Sequence, residues 1–251
     1  MRIIAPSRET KTPMVLEILA ATSATTAGLL AYAVRGRSAT LLAPSIYKGL
    51  PTRTAIALTF DDGPSESTPD LLDILAEFQA PATFFQCGVN VRRLPAISRA
   101  VLGAGHEIGN HTDNHAALYL KSPSFIYDEL ATAQAAIEDA TGTRPRYFRP
   151  PYGCRWFGLR TAQRKLNLQG IMWTCIAQDW RLPTERIASR LTASLASGAI
   201  FCLHDGRLTQ PKPNVRPMLE AMRAFLPEAL ERGYEFVTIS ELLCLPQPPN
   251  V

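Results

Sequence analysis

The sequence of 251 residues predicts an α/β protein in which parallel strands close into a barrel. Strand-like apolar runs recur along the chain with helical stretches between most of them, and this alternation is typical of parallel strands. Seven runs with short irregular connections favour a barrel over an open sheet. The length suffices for one large core, and a hydrophobic content of 46% with 19% charged residues is typical of a folded chain.

The seven predicted strands are short apolar runs, and they cover Ala55–Phe60, Ala82–Cys87, His106–Gly109, Tyr147–Arg149, Gly170–Cys175, Ala199–Leu203 and Glu235–Thr238. Three helices between them have start or stop signals. The helix over Thr68–Phe78 has proline at its second position, and the helix over Pro123–Ala140 follows a serine and ends near a glycine. The helix over Arg186–Ser197 places its large apolar residues on one face.

The N-terminal region has the outline of an export signal or a short membrane anchor. Ile18–Val34 is an uncharged stretch of 17 residues with basic residues on both sides, and Ala31–Ala33 offers a small-x-small cleavage motif. An amphipathic or poorly ordered extension is the alternative. The sequence predicts a leader over residues 1–37, a connector over 38–54 and one domain over 55–245, with the protein exported or held at the cell envelope.

The charge distribution argues against a nucleic-acid partner. Residues 1–53 carry seven basic and two acidic residues, whereas the remaining 198 carry 19 basic and 20 acidic residues. The predicted domain therefore lacks the basic face that nucleic-acid binding requires. The five cysteines are far apart and include no Cys-x-x-Cys pair, so a disulfide framework is not expected.

Two adjacent carboxylates, Asp61 and Asp62, lie where the first predicted strand ends. Neighbouring carboxylates repel, and such a pair persists most easily where one binds a cation and the other accepts a proton. An ordinary surface turn is the alternative for Asp-Asp-Gly-Pro alone. In a parallel barrel the residues that follow the strands meet at one rim, so the residues after the other strands decide between these interpretations.

Two histidines follow the third predicted strand. His111 and His115 stand four residues apart, so one helical turn would direct both rings at a common ion. With Asp62 they form a His-His-Asp set that leaves coordination positions open, as a catalytic zinc-type site requires. Two surface histidines are the alternative for the pair alone. We expect His106, which lies within the strand, to be structural.

An arginine and a histidine follow two further strands. Arg149 begins the turn Arg-Pro-Pro-Tyr-Gly, and a two-pronged hydrogen bond from its guanidinium would orient Asp61 and keep it ionised. The backbone N–H of Tyr152 in the same turn would face a developing oxyanion. His204 is either a third metal ligand or a general acid. Trp180 offers an apolar wall shared with Leu203, although core packing is the alternative for the tryptophan.

Five ordered segments resemble the motifs of the polysaccharide deacetylases, carbohydrate esterase family four: Thr59–Pro64, Gly105–His115, Arg149–Gly153, Asp179–Trp180 and Cys202–Asp205. The resemblance implies a distorted (β/α)7 barrel and makes residues 55–245 the catalytic domain. It also implies a metal-dependent hydrolase that removes acetyl groups from a chitin-type, peptidoglycan or acetylated xylan substrate. N- or O-acetyl preference, the polysaccharide and the oligomeric state stay open.

The resemblance implies roles for the site residues. Asp61 would be the general base, while Asp62, His111 and His115 would bind a divalent metal, most often Zn²⁺, with Co²⁺, Ni²⁺ or Mn²⁺ as alternatives.

Five further residues complete the site that the resemblance implies. Arg149 would steady Asp61, the Tyr152 amide would bind the oxyanion, and His204 would be the general acid. Trp180 and Leu203 would enclose the acetyl methyl group.

One position departs from the family pattern. Many members carry an acidic residue three positions before the Asp-Trp pair, where it orients the catalytic histidine, and this chain has Ile176. Asp179 would then pair with either Arg149 or His204, and Asp205 is the other candidate to orient the histidine.

Two other functions remain open from the sequence. The first is a hydrolase of another N-acyl or cyclic amide bond on the same barrel. The second is a non-catalytic glycan-binding relative, which we would expect to have lost Asp61 or His204.

Overall fold

The protein folds as a curled parallel β-sheet surrounded by helices, which confirms the predicted α/β class and the distorted barrel. The computed structural model describes residues 12–243, with side chains from residue 17 onward. Residues 1–11 of the predicted leader, Cys244 and the end of the predicted domain lie outside the described residues. Cys87, Cys154, Cys175 and Cys202 are free thiols.

The strands are short and all pairings are parallel; they are β1 (Ser45–Ile46), β2 (Ala55–Gly63), β3 (Thr83–Gln86), β4 (Glu107–Asn110), β5 (Tyr147–Phe148), β6 (Gln169–Ile171), β7 (Cys175–Ile176), β8 (Ile200–His204) and β9 (Glu235–Phe236). The order across the sheet is β1-β6-β5-β4-β3-β2-β8-β7, and β9 pairs with the beginning of β2.

The α-helices lie between the strands and at the N-terminus; they are α1 (Thr12–Arg35), α2 (Thr68–Glu77), α3 (Gly88–Arg93), α4 (Pro95–Gly103), α5 (Pro123–Thr141), α6 (Leu159–Leu166), α7 (Thr184–Thr192), α8 (Arg216–Glu231) and α9 (Ile239–Leu242). The predicted helices correspond to α2, α5 and α7. The last of these begins two residues earlier and ends five residues earlier than predicted.

The predicted strand over Gly170–Cys175 is in fact two strands that lie at different places in the sheet. β6 pairs with β1 and β5, whereas β7 pairs with β8. The intervening segment runs between the two parts, because the Met172 N–H donates to the Ile46 carbonyl (2.7 Å) and the Thr174 N–H donates to the Ile200 carbonyl (2.9 Å). β1 lies within the predicted connector, so part of that connector belongs to the sheet.

The alternation of side chains along β2 determines which residues reach the site. Ile56, Leu58 and Phe60 are fully buried between the sheet and the helices. Ala55 and Ala57 pack with apolar residues on the opposite face, the inside of the curled sheet. Successive side chains of a strand point to opposite faces, so Thr59 and Asp61 continue the inner row. The same alternation places Cys202 and His204 of β8 on the inside and Leu203 outside.

The end of α1 is fixed to the barrel by a buried arginine. The Arg155 side chain is fully buried and donates to the backbone carbonyls of Gly36 and Ala39 and to the Ser45 hydroxyl. Its own backbone N–H donates to the Val34 carbonyl (3.0 Å). Burial of a guanidinium is tolerated only where hydrogen bonds replace water, so these carbonyls hold the segment that follows α1 against the domain.

We expect Arg155→Met to release that segment and to lower the free energy of unfolding by about 2–3 kcal/mol, because buried carbonyls lose a charged donor. Arg160→Met is the matched control: its exposed guanidinium donates to the Thr40 and Leu41 carbonyls of the same segment and should contribute less than about 1 kcal/mol. Chemical denaturation with hydrogen exchange of residues 36–44 measures both effects. Equal losses in the two variants would contradict this assignment.

Candidate active site

A cavity of about 340 Å³ opens at the carboxyl ends of the strands. Most of the residues predicted to act together contribute to its lining, and they come from five strand exits: Asp61, Asp62, His111, His115, Tyr152, Trp180 and His204. The sheet topology explains this convergence, since parallel strands present their carboxyl ends at one rim.

Asp61 is held by the buried guanidinium of Arg149. Nη1 of Arg149 donates to Asp61 Oδ1 (2.7 Å) and to the Thr59 hydroxyl (2.6 Å), while Nε and Nη2 donate to the Ile171 and Met172 carbonyls. The predicted contact between Arg149 and Asp61 is therefore present, but the predicted two-pronged geometry is wrong. Only Nη1 donates to Asp61, because Nε and Nη2 donate to backbone carbonyls. Asp61 Oδ2 stays on the cavity side, where it accepts from the Cys202 thiol at 3.5 Å.

Asp62 is directed away from Asp61 by its backbone. Its φ of 72° lies in the left-handed region, and the register of β2 against β3 shifts between Asp61 and Gly63. Asp62 Oδ2 accepts from the Leu208 N–H (2.7 Å). Burial by itself raises the pKa of Asp62, but hydrogen bonds from His111 and His115 and the nearby charge of His204 hold this pKa well below its usual range.

The two histidines reach Asp62 from a loop. β4 ends at Asn110, and the residues that follow are not helical, so the predicted helical turn is wrong. Instead, left-handed backbone at Thr112 (φ 66°) and His115 (φ 53°) brings the rings to 5.0 Å between centroids. Non-glycine residues in this region cost about 1–3 kcal/mol each and are concentrated at functional sites.

The buried carboxylate of Glu129 on α5 fixes this loop. Its Oε2 accepts from the backbone N–H groups of Asp113 (3.1 Å) and Asn114 (3.0 Å), and its Oε1 accepts from the Asn114 side chain. Arg92 makes a two-pronged ion pair with Asp113. The spacing of the two imidazoles therefore depends on a network outside the cavity.

The donor set fits a divalent metal ion. Asp62 Oδ1 lies 3.0 Å from His115 Nε2 and 3.4 Å from His111 Nε2, so the three donor atoms lie close together. His111 Nδ1 bonds the Arg149 carbonyl at 2.7 Å, which leaves Nε2 as a ligand. One carboxylate and two imidazoles could together hold a metal ion, and three protein ligands leave coordination positions open, as in catalytic rather than structural zinc sites.

His204 is paired with Asp179, and this settles which group the aspartate contacts. Asp179 Oδ1 lies 2.9 Å from His204 Nδ1, and Oδ2 accepts from the His204 backbone N–H at 2.9 Å. Burial alone lowers the pKa of His204, but the charge and hydrogen bond of Asp179 outweigh it and raise this pKa to about 10. Asp205 instead accepts from Thr68 (2.5 Å), and Ile176 is part of the cavity wall.

The two residues predicted to form an apolar wall lie in different places, and only Trp180 is at the cavity. Trp180 lines the cavity, and its ring meets His204 edge-on at 5.1 Å. Leu203 is fully buried in the core, because it has the outward position on β8. Trp173, Ile176 and Leu208 provide further apolar lining.

Tyr152 lies in a short 3₁₀ turn, Pro151–Gly153, with a left-handed φ of 58°. Its ring packs edge-on against His115 at 4.8 Å, and the side chain is half-exposed at the cavity. His106 is structural, as expected. It accepts from the Ala82 N–H through Nδ1 (3.1 Å), and burial lowers its pKa to about 4.

The end of β2 and the loop after β8 are in close contact at two glycines. A Cβ on Gly63 would lie 2.4 Å from Asp205 Oδ2, and a Cβ on Gly206 would lie 2.4 Å from the Asp62 carbonyl. Asp205 is fully buried in this contact, and burial raises its pKa to about 7. Asp205 therefore supports the end of β2, which carries Asp62, and it does not orient His204.

Sequence reasoning missed several residues of the site: Arg35, Glu129, Trp173, Cys202 and Leu208. Glu129 lies on a helix without a local motif, and Arg35 lies in the predicted leader. Cys202 carries a usable signal, because it stands two residues before His204 and so shares its face of β8.

The sequence and the fold are both similar to those of known deacetylases of acetylated glycans. The polysaccharide deacetylase family profile matches residues 48–171. A chitooligosaccharide deacetylase from Bradyrhizobium sp. is 34% identical over 197 residues, covering 75% of this chain and 90% of the relative. The structure of a peptidoglycan N-acetylglucosamine deacetylase has a TM-score of 0.75 and 27% identity, covering 80% of this chain and 92% of that chain.

A CE4 family pseudoenzyme from Bacillus anthracis is also similar, with a TM-score of 0.72 and 28% identity, covering 79% of this chain and 68% of that chain. Fold similarity therefore does not by itself separate active from inactive proteins. Whether a protein with this fold is active depends on the residues at its site.

We expect Asp179→Asn to lower the pKa of His204 from about 10 toward the ordinary value, because the imidazolium loses its carboxylate partner. The wild-type ring stays protonated well above neutral pH, whereas the ring in the variant would lose its proton near neutrality. NMR titration of the imidazole in metal-free protein measures this shift. Asp205→Asn is the matched control and should leave the pKa of His204 unchanged. The same pKa in the wild type and in both variants would contradict the pairing of His204 with Asp179.

Proposed function

The chain belongs to the polysaccharide deacetylase family, carbohydrate esterase family four, and on that basis we propose that it deacetylates N-acetylglucosamine units of a chitin-type or peptidoglycan glycan. Water adds to the acetamide carbonyl, the C–N bond breaks, and acetate and a protonated amine result. One observation carries the proposal: a carboxylate held by Arg149 and an imidazole held by Asp179 flank one metal-type donor set.

Asp62, His111 and His115 would hold the metal ion. Two imidazole nitrogens and one carboxylate oxygen form a donor set that favours Zn²⁺. A set made only of oxygen donors would instead favour Mg²⁺ or Ca²⁺. When bound, the ion acts as a Lewis acid toward the acetyl carbonyl.

Asp61 is assigned as the general base. Arg149 and Thr59 occupy its Oδ1 side, which favours the ionised form and fixes the carboxylate plane. Oδ2 faces the cavity and lies 3.9 Å from His111 Nε2, close to the donor set. In this position the carboxylate takes the proton of the attacking water.

His204 is assigned as the general acid. The ring nitrogen Nδ1 is engaged by Asp179, so Nε2 is the nitrogen available to the cavity. A pKa raised to about 10 keeps the ring protonated at neutral pH, and the proton is then delivered to the leaving nitrogen. The bond to Asp179 also restricts the ring orientation.

The remaining cavity residues are assigned to binding. The turn that begins at Pro150 fixes the backbone N–H of Tyr152 at the cavity, where it would donate to the developing oxyanion. Trp180, Ile176 and Leu208 would enclose the acetyl methyl group in an apolar pocket.

We expect Asp61→Asn to bind Zn²⁺ with nearly wild-type affinity and to lose turnover by about 100-fold or more, because the base is removed while the ligands stay. Asp62→Asn should lower metal affinity by at least about 10-fold, since an anionic ligand is lost. Competition with a chromophoric chelator gives the affinity and acetate release gives the rate. The reverse pattern would exchange the two roles.

We expect acetate release from N-acetylglucosamine oligomers or peptidoglycan, abolished by chelator and restored by Zn²⁺. Acetylated xylan and a cyclic amide provide the tests of the other hydrolase functions. Binding of glycan without acetate release in the metal-loaded protein would instead support the glycan-binding alternative, although the presence of both Asp61 and His204 argues against it.

We propose that α1 anchors the protein to a membrane of the cell envelope. Glu17–Arg35 is long and apolar enough to cross a bilayer, and Ile18, Leu19, Leu29 and Leu30 are exposed on it. Arg35, at the end of this helix, lines the catalytic cavity. An anchored protein would therefore hold its cavity close to the lipid headgroups, where a membrane-proximal glycan is the accessible substrate.

We expect the full chain to fractionate with membranes and to resist extraction by high salt, while a chain that begins at Arg35 should be soluble and keep the cavity. Replacement of Leu29 and Leu30 by aspartate tests the same point with the helix present, because charges within the apolar part of a span disfavour insertion. A mature protein that begins after Ala33 would show that the segment is a cleaved export signal.

A further inference from the structure

The Cys202 thiol has no part in the proposed reaction, yet it lies between the residues assigned as base and acid. We propose that Asp61, Cys202 and His204 form a second, inhibitory site for a thiophilic divalent cation such as Zn²⁺ or Cd²⁺. The inhibitory consequence rests on the proposed function, whereas the binding site itself does not.

The backbone aligns the three ligands. β2 and β8 are parallel neighbours in which Asp61 pairs with His204 and Thr59 pairs with Cys202. Because Cys202 and His204 are two residues apart on one strand, both side chains point to the inside of the sheet, as Asp61 does. One donor atom from each residue lies within 4.8 Å of the others.

The individual contacts are close to a coordination geometry. Cys202 Sγ lies 3.5 Å from Asp61 Oδ2, a separation that two ligands of one tetrahedral ion can adopt. Asp179 engages Nδ1 of His204, which leaves Nε2 for the ion and reproduces the carboxylate–histidine–metal arrangement common at zinc sites. Cys202 is almost fully buried but borders the cavity, from which an ion would enter.

The two sites differ in donor chemistry and share no residue. Asp62, His111 and His115 provide one oxygen and two nitrogens, whereas the second group provides oxygen, nitrogen and sulfur. Thiolate favours soft cations over Mg²⁺ or Mn²⁺. Arg149 next to Asp61 opposes a second cation, so we expect the second ion to bind more weakly than the first.

The proton balance predicts the pH dependence of this site. An ion at this position must displace two protons, that of the Cys202 thiol and that on Nε2 of the protonated His204 ring, and both are released to solvent. Binding should therefore tighten as pH rises. An ion at this position occupies the oxygen that takes the water proton and the nitrogen that protonates the amine, and it would stop turnover.

Titration of the metal-free full chain with Co²⁺ tests the site without reference to activity. The first equivalent should give a d–d spectrum without sulfur charge transfer, and further Co²⁺ should add an intense sulfur-to-cobalt band in the near ultraviolet. Cys202→Ser should lose only the second feature. Cys175→Ser is the matched control, because Cys175 is a buried strand thiol outside both ligand groups.

Absence of the charge-transfer band, or its persistence in Cys202→Ser, would refute the site. A band that forms with the first equivalent would show that the thiol belongs to the primary metal site, and it would contradict a separate second site.

In the acetate assay, Zn²⁺ above one equivalent should reduce the rate at least tenfold in the wild type and in Cys175→Ser, each compared with itself at one equivalent. The rate of Cys202→Ser should change less than twofold. Failure to release acetate would refute the proposed function and leave the spectroscopic result valid.

Discussion

The buried ion pair between Arg149 and Asp61 is the interaction on which the arrangement of the site depends. The guanidinium is fully buried, lies 4.2 Å from the centroid of the Phe85 ring and bonds the carbonyls of Ile171 and Met172. It thereby links β2 to the crossing segment between β6 and β7. A buried pair of this kind contributes little net stability, but loss of one partner leaves an uncompensated charge. The main effect of the ion pair is to fix the position of the Asp61 carboxylate.

That constraint gives two adjacent carboxylates different surroundings. The Arg149 carbonyl also holds His111 through Nδ1, so one residue orients both the proposed base and a proposed metal ligand. Asp62 turns away in a left-handed conformation toward the imidazoles. The Leu208 N–H and the close approach of Gly206 fix this conformation. One strand end can therefore serve a cation and a proton acceptor simultaneously.

The sequence predicted the α/β class, most strands and the side chains that meet at the rim, because strand periodicity and strand ends are local features. It did not predict the left-handed loop that brings His111 and His115 together, since that loop depends on Glu129 from a distant helix. Leu203 lies in the core and not at the cavity, because its position on β8 pairs with Phe60 and faces outward. The split between β6 and β7 was missed because both parts are apolar and contiguous in the chain.

We assign Asp62, and not Asp61, as the carboxylate that shares the metal ion with the two histidines. Anomalous diffraction from crystals of the protein loaded with one equivalent of Zn²⁺ distinguishes the two carboxylates. We expect a single anomalous peak bonded to Asp62 Oδ1 and to Nε2 of His111 and His115, with Asp61 still paired to Arg149. A first ion bonded to Asp61 or His204 would contradict this assignment.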